Sequence, residues 1–340
     1  MSDTMNAVMN GTMKAVSQDD LGGPEVLKIV SLPRPEPGIS EILVRVCAAS
    51  VNPIDGAQRQ TGAFVGQPPF VLGWDVSGTV EAVGPGVTLY KPGDEVFGML
   101  PFPQGHGAYA EYVVAPTRAF VRKPPSLDHV QAAAVPMVGL TAWQALVDTA
   151  GVGEGSRVLI NGASGGIGHL GVQIAKARGA YVTALTSAGN LGFVRALGAD
   201  EVIDYDATDF TQVVRDQDAV LDVVGGDYPL RALDVVKPGG IVVSTQPPSV
   251  AAIADVAAER GIRVAGVIVE ADEIGMAGLA DLAATGKLVP SIAATFPMEQ
   301  ARDASAMADL AASGDLFPLE QGGAAESGKH GPGKVVLTMA

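Results

Sequence analysis

The sequence predicts an α/β protein in two parts, a β-rich unit and a doubly wound parallel sheet, and three observations lead there. Residues 13–121 are short strand-like runs broken by Gly and Pro. A helix-like stretch follows, AAAVPMVGLTAWQALVDTAG (132–151). Beyond it, apolar β-branched runs alternate with helical patterns, which indicates a parallel sheet covered on both faces.

The elements follow in order. EILVRVCAAS (41–50), VSGTVEAVG (76–84), DEVFGML (94–100) and AYAEYVVA (108–115) read as strands, and GGPE, RPEPG, VGPG and KPGDE as the turns among them. Ala and Leu at helical spacing after Pro136 give a buried helix. The strands of the second part are RVLI (157–160), YVTALT (181–186), EVIDY (201–205), AVLDVVGG (219–226), GGIVVST (239–245) and RVAGVIV (263–269). Helical patterns GIGHLGVQIAKARGA (166–180) and LGFVRALG (191–198) lie between them. Six such strands fit a dinucleotide-binding Rossmann domain. The tail from about Met276 is mixed and ends in the strand KVVLTM (334–339). FPMEQ (296–300) recurs as FPLEQ (317–321), and QGGAAESGKHGPG (321–333) reads as an exposed loop.

Composition narrows the function. The 340-residue chain is 47% hydrophobic, enough for sizeable cores, and carries a net charge of −15. That sign argues against nucleic-acid binding and against docking on anionic lipid. No apolar run reaches the roughly 18 residues of a membrane span. Residues 1–12 lack a basic start and an apolar core, so they read as a disordered extension and not as a signal peptide. Cys47 is the single cysteine, which fits a reducing, cytoplasmic setting.

The stretch VLINGASGGIGHLG (158–171) carries the chemistry. Strand, glycine turn and helix in that order make a dinucleotide fingerprint. Gly162, Gly165, Gly166 and Gly168 let the backbone turn tightly and approach a pyrophosphate, with Ala163, Ser164 and Ile167 in the same cradle. The helix starting near Gly166 aims its free N–H groups at that charge. An NAD site places an acid at the end of the second strand. Here that place reads Leu185-Thr186-Ser187-Ala188-Gly189-Asn190, with neither an acid nor an Arg or Lys. The missing acid favours NADPH. The missing cation forgoes a charged hydrogen bond of roughly 1.5–3 kcal/mol, so the expected preference is modest. Ser187, Asn190 and Tyr205 are the candidate donors to the 2′-phosphate, with Tyr205 alternatively an ordinary strand-end aromatic. Val224, Gly225 and Ser244 follow the fourth and fifth strands and are expected to line the cofactor site.

The order of motifs resembles the medium-chain dehydrogenase/reductase superfamily, in its zinc-independent quinone oxidoreductase (zeta-crystallin-like) branch. The resemblance runs from Met13 to the C-terminus through VNPID (51–55), PGDEVFG (92–98), GAYAEYV (107–113), GLTAWQAL (139–146), GASGGIG (162–168), LGADEVIDY (197–205), KPGGIVV (237–243) and GKVVL (333–337). It implies a GroES-like catalytic domain from 13–131 and 275–340, a Rossmann domain from 132–274, and an active site in the cleft between them. It also implies homodimers paired through the Rossmann sheet edge at 263–269. Relatives with catalytic zinc carry a Cys and a Gly-His-Glu motif; this chain has Gly73-Trp74-Asp75 there, and Cys47 with four scattered histidines offers no three-ligand set, so zinc is not expected.

Without metal, the nicotinamide delivers hydride to an electron-poor acceptor, a quinone or an α,β-unsaturated carbonyl. By resemblance Asn52 binds the cofactor or a substrate oxygen. Asp55 either orders the pocket or is a capping carboxylate. Thr141 either approaches the nicotinamide or is a plain helix residue. Lys334 either reaches the cleft or lies on the surface. Relatives often place Tyr or Lys two residues after the acid; Ala57 stands there, which leaves the proton donor open. Loops 62–70 and 99–107 are expected to shape the acceptor pocket. Trp74 is read as β-domain core, His129 and His330 as surface residues, His169 as packed or solvent-facing, and His106 as a pocket candidate. Two alternatives stand beside the quinone or enone reductase: an enoyl-thioester reductase acting in trans on a carrier protein, and a non-catalytic cofactor-binding protein.

Overall fold

A computed structural model of the chain describes residues 11–313 and 332–339. Residues 1–10, the FPLEQ repeat copy and His330 lie outside the described residues. The described residues separate into two compact units: 11–136 with 271–273, 291–313 and 332–339, and 137–270 with 274–290.

The first unit opens with β1 (Thr12–Gln18), which takes up Thr12 from the segment read as extension, and β2 (Lys28–Pro33). It continues with β3 (Glu41–Val51), α1 (Pro53–Thr61), β4 (Phe70–Val71), β5 (Asp75–Val83), β6 (Glu95–Met99), β7 (Tyr112–Pro116), β8 (Phe120–Arg122) and α2 (His129–Ala133). The second unit holds α3 (Pro136–Trp143), β9 (Arg157–Asn161), α4 (Gly166–Ala177), β10 (Tyr181–Thr186), α5 (Leu191–Ala196), β11 (Glu201–Asp204), α6 (Phe210–Val213), β12 (Gln217–Asp222), α7 (Tyr228–Ala232), β13 (Val236–Ser244), α8 (Pro247–Glu259), β14 (Arg263–Gly266) and α9 (Glu273–Ala284). The chain then returns to the first unit with β15 (Ile292–Pro297), α10 (Ala301–Ser313) and β16 (Lys334–Thr338).

The second unit is the doubly wound sheet. Its six strands run in the order β11-β10-β9-β12-β13-β14, all paired in parallel. Successive residues of each strand point to opposite faces, and both faces are covered. Val158, Ile160, Leu221 and Val243 pack on one side with Val172 and Ala175 of α4. Leu159, Val220 and Val242 pack on the other with Phe210, Leu233 and Ile253. Each such aliphatic, fully buried, contributes about 1.5–3 kcal/mol. The outer strand β14 pairs only as far as Gly266, short of the 269 read from sequence.

The first unit is a β scaffold with a seven-stranded sheet that runs β15-β16-β3-β5-β6-β8, with β7 also on β3. A three-stranded sheet, β2-β1-β4, completes it. The C-terminal strand β16 pairs antiparallel with β3, so both ends of the sequence build this unit.

Helix α1 interrupts the β pattern, and strand reasoning missed it. Pro53 occupies its first turn and Gly62 ends it in the left-handed region at φ +61°. A Cβ on Gly62 would meet the Gly66 carbonyl oxygen at 2.1 Å. The buried face of α1 is polar: Asp55, Gln58 and Arg59. Apolar periodicity is therefore absent, and with it the usual sequence signal. Arg59 is fully buried, donating to the Gly22 carbonyl at 3.0 Å, to Asp309 at 2.6 Å and to Ser305, which ties α1 to α10.

Candidate functional site

In the second unit, the glycine loop joins β9 to α4. A Cβ at position 168 would lie 2.2 Å from the Gly162 oxygen and 2.7 Å from the Ala163 Cα, so only glycine lets the helix approach the turn this closely. Gly165 precedes α4 and no side chain caps the helix there. An anion therefore suits the N–H groups of the first turn, and the residues fit a pyrophosphate.

The candidate donors for the far end of the nucleotide come together beside this loop. Ser164 Oγ accepts from Thr186 Oγ1 at 3.0 Å and from Asn190 Nδ2 at 3.3 Å. Asn190 also lies 3.2 Å from Ser187 Oγ. The Tyr205 N–H donates to the Thr186 carbonyl at 3.2 Å, and the Tyr205 ring is exposed. No Arg or Lys among the described residues bonds to these hydroxyls. An acid does stand one strand away: Asp204 of β11 pairs in register with Thr186.

Val224, Gly225 and Ser244 gather around a residue that sequence reasoning passed over, Asp222. Its carboxylate accepts from Asn161 at 2.8 Å, Ser244 at 2.7 Å, the Val224 N–H at 3.3 Å and the Gly225 N–H at 3.0 Å. The Ser244 hydroxyl thus holds strand ends together, and the Val224 side chain is exposed. A polar residue closing an apolar strand, as in AVLD and VLIN, was the available signal. The Thr141 hydroxyl donates to the Met137 carbonyl at 2.7 Å, leaving its lone pairs as its remaining capacity.

The first unit buries a charged cluster. Asn52 precedes α1, and its N–H donates to Asp55 Oδ2 at 2.7 Å. That bond is one arm of a capping box, so the capping role of Asp55 is real. The Tyr109 hydroxyl donates to the same oxygen at 2.9 Å. The other oxygen, Oδ1, is buried without a hydrogen-bond partner. The Asn52 side chain donates to Asp75 Oδ2 at 2.9 Å, as does Ser50, and accepts from Lys334. Lys334 also donates to the Val51 carbonyl at 2.9 Å. It is buried, against the surface alternative, because β16 lies beside β3 and carries it inward.

Electrostatics follow from that burial. Desolvation pushes the Asp55 carboxyl up to about 7, against the hydrogen bonds from Asn52 and Tyr109 and with help from the Asp75 charge. Desolvation also lowers Lys334, while Asp75 and Asp55 pull it back up. Tyr109 is held well above its ordinary value by burial and by Asp55. Tyr109 lay within the GAYAEYV motif but was not singled out, since its partner is 54 residues away.

The histidines sort differently from expectation in one case. His129 is only partly at the surface: its ring sits between Ser77 Oγ, 2.8 Å from Nδ1, and the exposed Glu95, 3.2 Å from Nε2. Its place in α2, which packs on β3 and β5, draws it in, and burial lowers its pKa. His169 is fully packed, and His106 Nδ1 lies 2.7 Å from the Val71 carbonyl. Among the described residues no three His, Cys, Asp or Glu side chains converge on a metal site, so the donors present do not fit a zinc centre. No described helix is long and apolar enough to cross a membrane.

Comparison with known proteins identifies the family of the chain. Residues 38–125 match the alcohol dehydrogenase GroES-like domain, and 197–313 match a family described as zinc-binding dehydrogenase. The human NAD(P)H oxidoreductase RTN4IP1, mitochondrial, is 36% identical over 308 residues, 78% of each chain. The trans-enoyl reductase pgmF of Aspergillus terreus is 41% identical over 199 residues, 55% of this chain and 56% of that one. The chain spans 56–58% of the length of several curated relatives it matches, the trans-enoyl reductase among them. The solved structure of the quinone oxidoreductase from Coxiella burnetii superposes with a TM-score of 0.85 at 34% identity, covering 96% of this chain and 99% of that one.

Proposed function

This chain belongs to the medium-chain dehydrogenase/reductase superfamily, in its quinone oxidoreductase branch, and we propose that it uses NADPH to reduce a quinone or an α,β-unsaturated carbonyl without a metal. The observation that carries the cofactor side is the uncapped start of α4 behind Gly165, flanked by the hydroxyls of Ser164, Thr186 and Ser187. When bound there, the nicotinamide supplies the hydride. Gly166, Ile167 and Gly168 hold the pyrophosphate, Asn190 and Tyr205 border the 2′-phosphate, and Val224, Gly225 and Ser244 border the nicotinamide half. Thr141 lends a lone pair on the same side.

On the acceptor side, Asn52 positions the substrate carbonyl with its second N–H, and Lys334 and Asp75 fix that amide. Asp55 is the proton store. Its pKa, raised to about 7, lets it take up and release a proton near neutral pH, and Oδ1 is the oxygen with room for the proton. A nicotinamide bound in the second unit would supply a hydride and Asp55 would pass on one proton, which together convert a quinone to a hydroquinone and leave NADP+. The Asp204 carboxylate beside Thr186 keeps the margin of NADPH over NADH small.

The test follows loss of reduced-nicotinamide absorbance with NADPH or NADH against a panel of quinones and enones, before and after treatment with a chelator. Acceptor-dependent loss, faster with NADPH and unchanged by the chelator, is the expected result. No loss with any acceptor overturns the reading. The likeness to pgmF supports a second reading, reduction of an enoyl thioester in trans. The −15 charge disfavours an acidic carrier protein, and turnover of a carrier-bound but not a free enoyl thioester would select this alternative. We place the enzyme in the cytoplasm as a homodimer paired through β14; a monomeric mass in light scattering removes the dimer.

A further inference from the structure

Trp74 is fully buried and its indole Nε1 has no hydrogen-bond partner. Buried indole N–H groups ordinarily find an acceptor. Two other large side chains buried in this unit satisfy their donors: Arg59 reaches Asp309 and the Gly22 carbonyl, and Tyr109 reaches Asp55. A core tryptophan chosen only to fill space would be replaced by Phe or Leu without leaving a donor unsatisfied. The indole therefore marks a place where an acceptor atom arrives from outside the chain.

The surroundings say what kind of molecule brings it. The Phe102 ring meets Trp74 edge-on with centroids 5.2 Å apart, and the His106 ring does so at 6.2 Å. Phe64 packs edge-on against Phe102 at 5.6 Å and is itself 51% exposed. A series of rings thus leads from solvent through Phe64 and Phe102 to the buried donor. Edge-to-face neighbours of this kind accept a further flat ring at little loss of contact. Phe64 and Phe102 stand on loops 62–70 and 99–107, so side-chain shifts within two connecting loops open the way.

Resting on the reductase reading above, we propose that Trp74 Nε1 donates a hydrogen bond to a carbonyl oxygen of the acceptor, and that Phe64 and Phe102 select a flat ring-shaped quinone over an open-chain enone. Trp74 is then the specificity-determining residue of the acceptor site. The donor fixes one carbonyl and the rings fix the plane of the molecule.

The experiment uses the full chain with Trp143→Phe, which leaves Trp74 as its one tryptophan. Duroquinone is the probe, since its ring has no open position to react with Cys47. Without cofactor, duroquinone should quench Trp74 fluorescence saturably. Replacing Trp74 by its sulfur isostere, benzothienylalanine, keeps the ring shape and removes the N–H. That variant should raise KM for duroquinone about tenfold and leave kcat and the Kd for NADPH within twofold. Trp74→Phe is the second variant and should give the same split. Quenching that rises linearly without saturation, or an unchanged KM in the isostere, overturns the proposal and leaves the reductase reading standing. Saturable quenching with no turnover of any acceptor supports the proposal and overturns the reductase reading.

Discussion

Asp222 of the second unit and Asp55 of the first are both buried carboxylates next to predicted site residues, and they differ in how they are satisfied. Asp222 has donors on both oxygens, drawn from β9, β13 and the loop that follows β12. Asp55 has two donors on one oxygen and none on the other, and it shares its surroundings with a second acid, Asp75, and one cation, Lys334. Two acids and one ammonium in a dry interior leave an excess negative charge unless one acid keeps its proton. A fully satisfied carboxylate holds strands in place. A partly satisfied one is free to exchange a proton. On the function proposed above, the first unit supplies the ionisable group and the second the fixed geometry.

The strongest way to break this comparison is to remove the cation. Lys334→Met strands Asp75 beside Asp55 and should cost about 3–5 kcal/mol in urea unfolding. Adding Asp55→Asn should recover at least about 1 kcal/mol at pH 8, because one negative charge instead of two is then left without the ammonium. Strictly additive costs would show that Asp55 is neutral in the folded protein for some other reason than its neighbours. Next in size is Asp222→Ala, which leaves Asn161, Ser244 and two N–H groups without their acceptor and should cost about 3 kcal/mol. Urea unfolding measures the loss, and a cost well below about 1 kcal/mol would show that the strand ends hold without the carboxylate.

The same two regions differ in how much the sequence discloses. The glycine loop, β9 to β14, the hydroxyls of Ser164, Thr186 and Ser187 and the Asn190 amide lie within segments whose order alone implies their meeting, because parallel strands bring their C-terminal ends to one edge. The buried cluster is assembled from Ser50 to Asp55, Asp75, Tyr109 and Lys334, and Lys334 is 282 residues from its partner Asn52. Charged residues scattered this widely read as surface, and nothing in their spacing reports that β16 returns to β3. Helix α1 was hidden for the related reason that its buried face is polar. The family resemblance pointed to Asn52 and Asp55, but Asp75 emerges only from the pairing of β3 with β5, and Tyr109 from its backbone bonds to Val16 and Leu72.

A smaller effect tests the proton on Asp55 through stability. Its folded pKa, about 7, is above the unfolded value near 3.9, so the folded state binds the extra proton between those limits. Stability from this group is full below about pH 4 and falls as the pH rises toward 7, by about 2 kcal/mol between pH 5 and 7. Asp55→Asn removes that slope. Chemical denaturation of both proteins at pH 5, 6 and 7 should show the variant flatter by that amount. Parallel slopes would mean that Asp55 is ionised in the folded protein, and the proton store would have to be sought elsewhere.

The smallest expected effect sharpens the cofactor side. The hydroxyl group around Ser164 can donate to a 2′-phosphate but carries no formal charge, and the Asp204 carboxylate of the neighbouring strand opposes it. Asn190→Arg places a guanidinium beside Ser164 and Ser187, where the side chain it replaces already reaches both. One charged hydrogen bond to phosphate is worth roughly 1.5–3 kcal/mol, but on this partly exposed edge screening should hold the gain to about tenfold in Kd for NADPH. NADH, without the phosphate, should bind as before. Titration of both cofactors by their fluorescence enhancement measures the two constants directly. Equal gains for both would show that the arginine meets the shared pyrophosphate, and would move the 2′-phosphate site away from Asn190 toward Tyr205.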